Sequence, residues 1–289
     1  MRSLLFVPAD SEKKMAKGAG SAADGLILDL EDSVAPERRP VGRELVRDFL
    51  GQTRGSQKLY VRINPLDTAD ALSDLTAVVG GGPDGVMLPK CGSGQDVARL
   101  DHYLSALEVR EGLPQGGIRI LPIVTEVAGA LFHLESYNGC SDRLEGLMWG
   151  AEDLSADLGA SRNRRPDGRY DDAFRMARTM MLMGARAAGV TPYDTVYIDF
   201  RDEAGLEAEC LEGRQQGFLG KPAIHPAQVE VINRAFSVTK EEVAWAKRVV
   251  AAFAEQPGAG VVGLDGVMLD KPHLRQAETL LKRAEEQAK

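Results

Sequence analysis

Short apolar runs recur along the chain, each ending in a polar or special residue. They are LLFVPA (4–9), GLILDLED (25–32), LYVRINP (59–65), GVMLPK (85–90), IRILPIVTE (118–126), EGLMWGAED (145–153), TVYIDF (195–200) and KPAIHP (221–226). Near-continuous apolar character, in place of alternation, is expected of parallel strands covered on both faces. Helical periodicity fills most of the intervals. Val41, Leu45 and Phe49 share one face of PVGRELVRDFL, after a Pro36 suited to a helix start. In DDAFRMARTMMLMGARAAG, Phe174, Ala177, Met181 and Ala188 do likewise, with Gly189 as the helix stop. The methionines of this stretch read as core filler against a sheet.

Eight strand-then-helix units predict an α/β fold, a (β/α)8 TIM barrel over residues 1–236, with active groups at the carboxyl ends of its strands. A doubly wound sheet competes, and GGGPDG (80–85) and GAGVVG (258–263) match its glycine spacing. The first precedes a strand and the second follows a helix, so both read as turns. Residues 237–289 fall outside the barrel. EEVAWAKRVVAAFAEQ reads as a helix, GAGVVGLDGVMLD as a glycine-rich loop or hairpin, and KPHLRQAETLLKRAEEQ as a last helix. Together they make a C-terminal helical extension suited to serve as a lid.

Composition narrows the partners. The 289 residues are 44% apolar and 27% charged, globular values, and the net charge of −8 argues against a nucleic-acid surface. Cys91, Cys140 and Cys210 are odd in number and widely spaced, which suits a reducing cytoplasm. No apolar run approaches membrane-spanning length, and MRSLLFVPAD reads as a first strand, not a secretory signal.

The predicted barrel gathers Glu31, Asp32, Arg62, Lys90, Glu126, Glu152, Asp153, Asp199 and His225 at one mouth. A hard divalent cation, Mg²⁺, would resolve the repulsion in such an acid-rich ring. Glu126 and Asp153 are the candidate ligands, although Asp153 could instead cap the helix near Leu154. Glu31 and Asp32 read as acids holding metal-bound water, or as partners of Arg39 and Arg43. Arg62 lies inside a strand and needs an anion, for which a substrate carboxylate suits its planar fork. Asp199 stays open between the site and a structural role. His102 and His133 read as surface or packing residues, while His225 stands at a strand end where it could line the mouth. HExxH, GxSxG and P-loop motifs are absent from the sequence, which leaves metal-assisted chemistry on a carboxylate-bearing substrate.

Taken jointly, RSLLFVPAD, DGLILDLEDSVAPERR, YVRINP, GVMLPK, LPIVTEVAGAL, GLMWGAEDLSADLG, GKPAIHPAQVEVIN and DGVMLDKPHLRQA resemble the citrate lyase beta-subunit and malyl-CoA lyase family over nearly the whole chain. The resemblance implies a (β/α)8 barrel, a homotrimer or hexamer, and Mg²⁺-dependent cleavage or formation of a carbon–carbon bond beside an acyl thioester. Glu126 and Asp153 match the metal ligands, Arg62 the residue that holds the oxo-acid carboxylate, and Glu31 and Asp32 the outer acids. Asp270 matches an acid/base on the C-terminal segment. Lys90 and His225 fall to substrate binding, and Lys221 shares the His225 motif without an assigned role. No motif fixes the groups that meet coenzyme A phosphates, for which Lys13 and Arg39 are candidates. The implied substrates are an acyl-CoA and an oxo acid. The alternatives are a citrate lyase subunit acting on an acyl-carrier thioester, a malate synthase-like or thioesterase activity, an aldolase without coenzyme A, and a non-catalytic homologue.

Overall fold

The structure, a computed structural model, describes residues 1–52 and 55–287. Seven of the eight apolar runs give a strand followed by a helical stretch. β1 (Ser3–Pro8) leads to α1 (Glu12–Ala19), β2 (Gly25–Asp29) to α2 (Arg39–Leu50), and β3 (Lys58–Arg62) to α3 (Ala69–Val78). β4 (Gly85–Leu88) leads to α4 (Gly94–Glu111), and β5 (Arg119–Pro122) to a 3-10 helical stretch at Ala128–Tyr137. β6 (Gly146–Met148) precedes two helices, α5 (Glu152–Asp157) and α6 (Asp172–Ala187). β7 (Thr191–Tyr193) with α7 (Glu203–Gln216), then β8 (Lys221–Ala223) with α8 (Ala227–Phe236), complete the series.

Six strands form one parallel sheet in the order β5-β4-β3-β2-β1-β8, and β6 and β7 form a separate parallel pair. Single bridges join Ile123 to Met148 and Tyr193 to Gly220. Alternate strand residues point to one interior. Leu4, Ile27, Tyr60, Met87, Leu121, Ile123, Met148 and Tyr193 pack there as one buried cluster. Their neighbours in sequence pack outward against helices, which is why the runs carry few polar residues.

Several boundaries differ from the sequence pattern. The seventh strand stops at Tyr193, so TVYIDF lies beyond it and Asp199 is exposed. α2 buries Gly42, Val46 and Leu50 most deeply, one residue round from the face expected, while Val41, Leu45 and Phe49 are only half-buried. On α6, Met181 fills the core as expected, but Met176 and Met183 are exposed. A helix with polar residues on its outer face tolerates a few such side chains at little cost.

The chain divides into two compact units, Met1–Ala235 and Phe236–Lys289. In the second, α9 (Lys240–Ala254) starts with a capping box between Thr239 and Glu242. It is followed by an antiparallel hairpin, β9 (Val261–Leu264) and β10 (Val267–Asp270), and by α10 (Lys271–Gln287). Asp265 and Gly266 turn the hairpin with φ of 53° and 79°, the left-handed pair that an Asp-Gly turn supplies. Val249, Phe253, Val262, Leu269 and Ala277 form this unit's own core. Among the described residues no helix is long and apolar enough to cross a membrane.

Candidate active site

β2 and β3 run in register with Asp29 beside Arg62 at their carboxyl ends. Their side chains meet there in parallel, Arg62 Nε donating to Asp29 Oδ1 at 2.6 Å and Nη2 to Oδ2 at 2.7 Å. The anion that meets Arg62 is therefore Asp29. Burial pushes the Asp29 carboxyl up, but the Arg62 fork, with Ser33 and the Glu31 amide, brings it below its usual range. Arg62 likewise stays above its ordinary value despite burial, through Asp29 first and then Glu31 and Glu126. Its Nη1 also lies 3.0 Å from Glu31 Oε2.

Glu31 is buried, and its Oε2 accepts no hydrogen bond despite that Arg62 contact. Its other oxygen takes the Lys90 ammonium. Burial outweighs both cations, so the Glu31 carboxyl is raised. Lys90 reaches further acids, Asp153 Oδ1 at 3.2 Å and Asp32 Oδ2 at 3.8 Å. Its backbone φ of 49° lies in the left-handed region, unusual for a residue with a Cβ. From that conformation its amide donates to Glu126 Oε2 at 2.5 Å.

Glu126 lies beyond β5, in a bend, and is only 4% exposed. Among the described residues the Lys90 amide is its one hydrogen-bond donor. Burial pushes its carboxyl up to about 8; the Lys90 amide opposes this, and Asp153 and Glu31 add to it. Gly150 is dictated by this packing, because a Cβ there would fall 2.7 Å from Glu126 Cγ. Asp153 stands with Glu152 in the first turn of α5, where acids oppose the helix dipole favourably.

These groups surround a cavity of about 380 Å³. Its charged lining is Asp29, Asp32, Arg62, Glu126, Glu152 and Asp153, five acids against one cation, and Phe6, Met148, Trp149 and Ile224 are among its apolar walls. The structure thus brings Glu126, Asp153, Arg62 and Asp32 to one cavity, with Glu31 and Lys90 packed against its acids. Other candidates lie elsewhere. His225 lines an adjoining cavity of about 280 Å³ and stacks on Phe200 at 4.6 Å. Arg39 pairs with Asp70 at 2.6 Å, and Lys221 is fully buried, 2.8 Å from Glu209. Asp270 belongs to the second unit, where its Oδ1 lies 2.6 Å from His273 Nδ1. His102 and His133 are exposed, as expected.

Two buried acids escape the sequence pattern. Asp29 is hidden because LDLED offers three carboxylates, and only the register of β2 on β3 sets Asp29 beside Arg62. Asp194 follows the true end of β7. It accepts from Trp149 Nε1 at 2.7 Å and from Arg178 at 3.0 and 2.8 Å, so it fixes one wall of the cavity. Among the described residues no three His, Cys, Asp or Glu side chains are grouped to hold a metal by themselves.

The sequence matches the HpcH/HpaI aldolase/citrate lyase model over residues 2–226. It is 39% identical over 282 residues to a citrate lyase subunit beta-like protein of Mycobacterium tuberculosis, covering 98% of this chain and 95% of that one. It is 35% identical over 288 residues to a (3S)-malyl-CoA thioesterase of Cereibacter sphaeroides, covering 98% and 94%. The fold superposes on the CitE protein of Mycobacterium tuberculosis, solved with magnesium, acetoacetate and coenzyme A, with a TM-score of 0.80 and 37% identity over 98% of both chains. The strands, the acid-lined cavity and these likenesses agree, and the chain belongs to the HpcH/HpaI aldolase/citrate lyase family.

Proposed function

We propose that this protein is a magnesium-dependent carbon–carbon lyase. Its substrate is a hydroxy-carboxy acyl-CoA of the malyl, citramalyl or citryl type, and its products are acetyl-CoA or a related acyl-CoA and an oxo acid. The observation that carries this reading is the Lys90 junction. One residue, through its amide and its ammonium, ties Glu126, Glu31 and Asp153 around a single acid-lined cavity.

The donor set fits Mg²⁺. Glu126 is a buried carboxyl with one protein hydrogen bond, Asp153 lines the same cavity, and Glu31 Oε2 is buried without a donor. Mg²⁺ uses one or two protein carboxylates and fills its octahedron with water and substrate oxygens, so no larger protein cluster is required. Glu126 and Asp153 would hold it, with Glu31 and Asp32 orienting its waters. When bound, it supplies Lewis acidity to the substrate hydroxyl and carboxylate oxygens. The magnesium named for the solved CitE relative supports the assignment.

The chain's own residues do the rest. Asp29 holds the Arg62 guanidinium by two of its N–H groups, and the remaining N–H groups are assigned to the oxo-acid carboxylate. Lys90 keeps Glu31 and Asp153 together and adds positive charge where the oxo acid forms. As the carbon–carbon bond breaks, the substrate hydroxyl gives up its proton to water and its oxygen becomes the oxo-acid carbonyl, while the bonding pair leaves on a thioester enolate whose carbon needs a proton. Asp270, a half-exposed carboxyl on β10, is proposed as the donor; in the synthetic direction it would remove the same proton.

In the same reading residues 1–236 are the catalytic domain, a closed eight-stranded barrel. The Ile123–Met148 and Tyr193–Gly220 bridges support that closure. Residues 237–289 are an extension, the protein works in the cytoplasm, and the assembly is a homotrimer or hexamer. A second reading, thioester hydrolysis, has a specific support in the relative named a malyl-CoA thioesterase. A panel of hydroxyacyl thioesters assayed with and without Mg²⁺ separates the readings. Magnesium-dependent release of acetyl-CoA and an oxo acid is expected. Release of free coenzyme A with an intact hydroxy acid would instead establish the hydrolase, and no turnover on any thioester would leave a silent homologue.

A further inference from the structure

β10 ends at Asp270 and α10 starts with Lys271, so His273 is the third residue of that helix. Pro272 suits the first turn, where a backbone N–H would have no helical partner. From the third position the imidazole folds back over the junction. Its Nδ1 accepts the Asp270 amide at 3.2 Å and lies 2.6 Å from Asp270 Oδ1. A ring nitrogen and a carboxyl oxygen come that close only with a proton between them. Both side chains are half-exposed, and among the described residues neither makes another hydrogen bond or ion pair, which leaves Asp270 Oδ2 and His273 Nε2 open. Reaching back to the amide is what Glu or Gln does in a capping box, so helix capping by itself does not call for a ring. Proton donation does. An aspartate open to water is a poor store of protons near neutrality, whereas imidazole is the side chain that exchanges them there.

We propose that His273 is the positioning residue and proton partner of Asp270, the pair relaying protons between water and the carbon beside the thioester. The inference rests on the reading of Asp270 as the proton donor and adds the group that reloads it. In the cleavage direction Nε2 takes a proton from water and Nδ1 passes one to Oδ1. The carboxyl O–H bond then breaks as the C–H bond forms on the enolate carbon, and water returns the ring to its Nδ1–H tautomer. One water-derived proton becomes one C–H hydrogen. The substrate hydroxyl releases one proton to water in the same turnover, so cleavage neither consumes nor yields acid. The amide contact marks the loaded state, in which Nδ1 is an acceptor and Oδ1 carries the proton. In the synthetic direction the same transfers run backward, from the acyl methyl group to water.

The test is deuterium exchange into the methyl group of acetyl-CoA in heavy water, with Mg²⁺ and pyruvate present, followed by NMR on the full-length protein. In H273Q the side-chain amide oxygen keeps the hydrogen bond from the Asp270 amide but carries no transferable proton, so the melting temperature and the KM for acetyl-CoA are retained. The exchange rate at saturation falls by about tenfold or more. Added imidazole restores exchange to H273A and not to D270N. Exchange lost in D270N but kept at the wild-type rate in H273Q would overturn the proposal alone and leave the ring as a helix cap. An H273A protein that imidazole fails to revive would do the same. Wild-type exchange that survives D270N would instead remove Asp270 from the mechanism, and the pair with it. Absence of exchange in the wild type would contradict the thioester reading as well.

Discussion

Asp29 grips Arg62 from the adjacent strand through two parallel hydrogen bonds, 2.6 and 2.7 Å long, inside a nearly closed environment. The pair explains how a buried strand can end in acid: its cation is the arginine in register beside it. Replacing Asp29 by Asn removes the charge and one half of the fork while leaving a buried guanidinium. Breaking such a pair costs about 3 kcal/mol or more. Urea unfolding should show that loss, and the KM for thioester should rise together with a fall in kcat, because Arg62 is no longer aimed. Unchanged stability would mean that Glu31 alone suffices to hold the arginine.

Glu126 carries a pH signature. In the metal-free protein its carboxyl is raised from 4.5 to about 8, chiefly by burial. The folded state thus favours the neutral form. Its contribution to stability is complete below pH 4.5 and is lost as pH rises toward 8. With EDTA present, wild type should lose stability relative to Glu126→Gln between pH 5 and 8, by a few kcal/mol. Parallel melting curves for the two proteins over that range would contradict it.

Magnesium should reverse the trend. Binding requires the Glu126 carboxylate, so Mg²⁺ affinity should increase as pH rises from 6 to 8 and proton release should accompany it. Calorimetry in two buffers of different ionisation enthalpy reads both quantities. A pH-independent affinity without proton release would remove Glu126 from the ligand set.

Glu126→Ala and Asp153→Ala should each lower magnesium-dependent turnover by about a hundredfold or more while the far-ultraviolet circular dichroism is retained. Asp270→Asn should lower kcat with Mg²⁺ affinity unchanged. Calorimetric Mg²⁺ titration alongside steady-state kinetics distinguishes the two patterns.

Much of this arrangement was readable in the chain. The strand runs are apolar because both faces are covered, and the acids and cations after them stand out against that background, as Glu126 and Asp153 of the cavity lining do. What failed had a local cause. TVYIDF looks like a strand because its residues are β-formers, yet β7 ends at Tyr193 and Asp194 takes up Trp149 and Arg178. Asp29 and Glu31 are indistinguishable by composition, and only the register of β2 on β3 gives the first of them to Arg62. The sequence reads Lys90 as a substrate contact; its left-handed backbone, which no pattern announces, also makes it a bridge among the acids.

The most direct test is a crystal structure grown with Mg²⁺ and an oxo acid such as pyruvate. The account predicts one Mg²⁺ with carboxylate oxygens of Glu126 and Asp153 at about 2.1 Å, and the oxo-acid carboxylate within hydrogen-bond reach of Arg62. A magnesium ion bound elsewhere, or an oxo acid held away from Arg62, would contradict it.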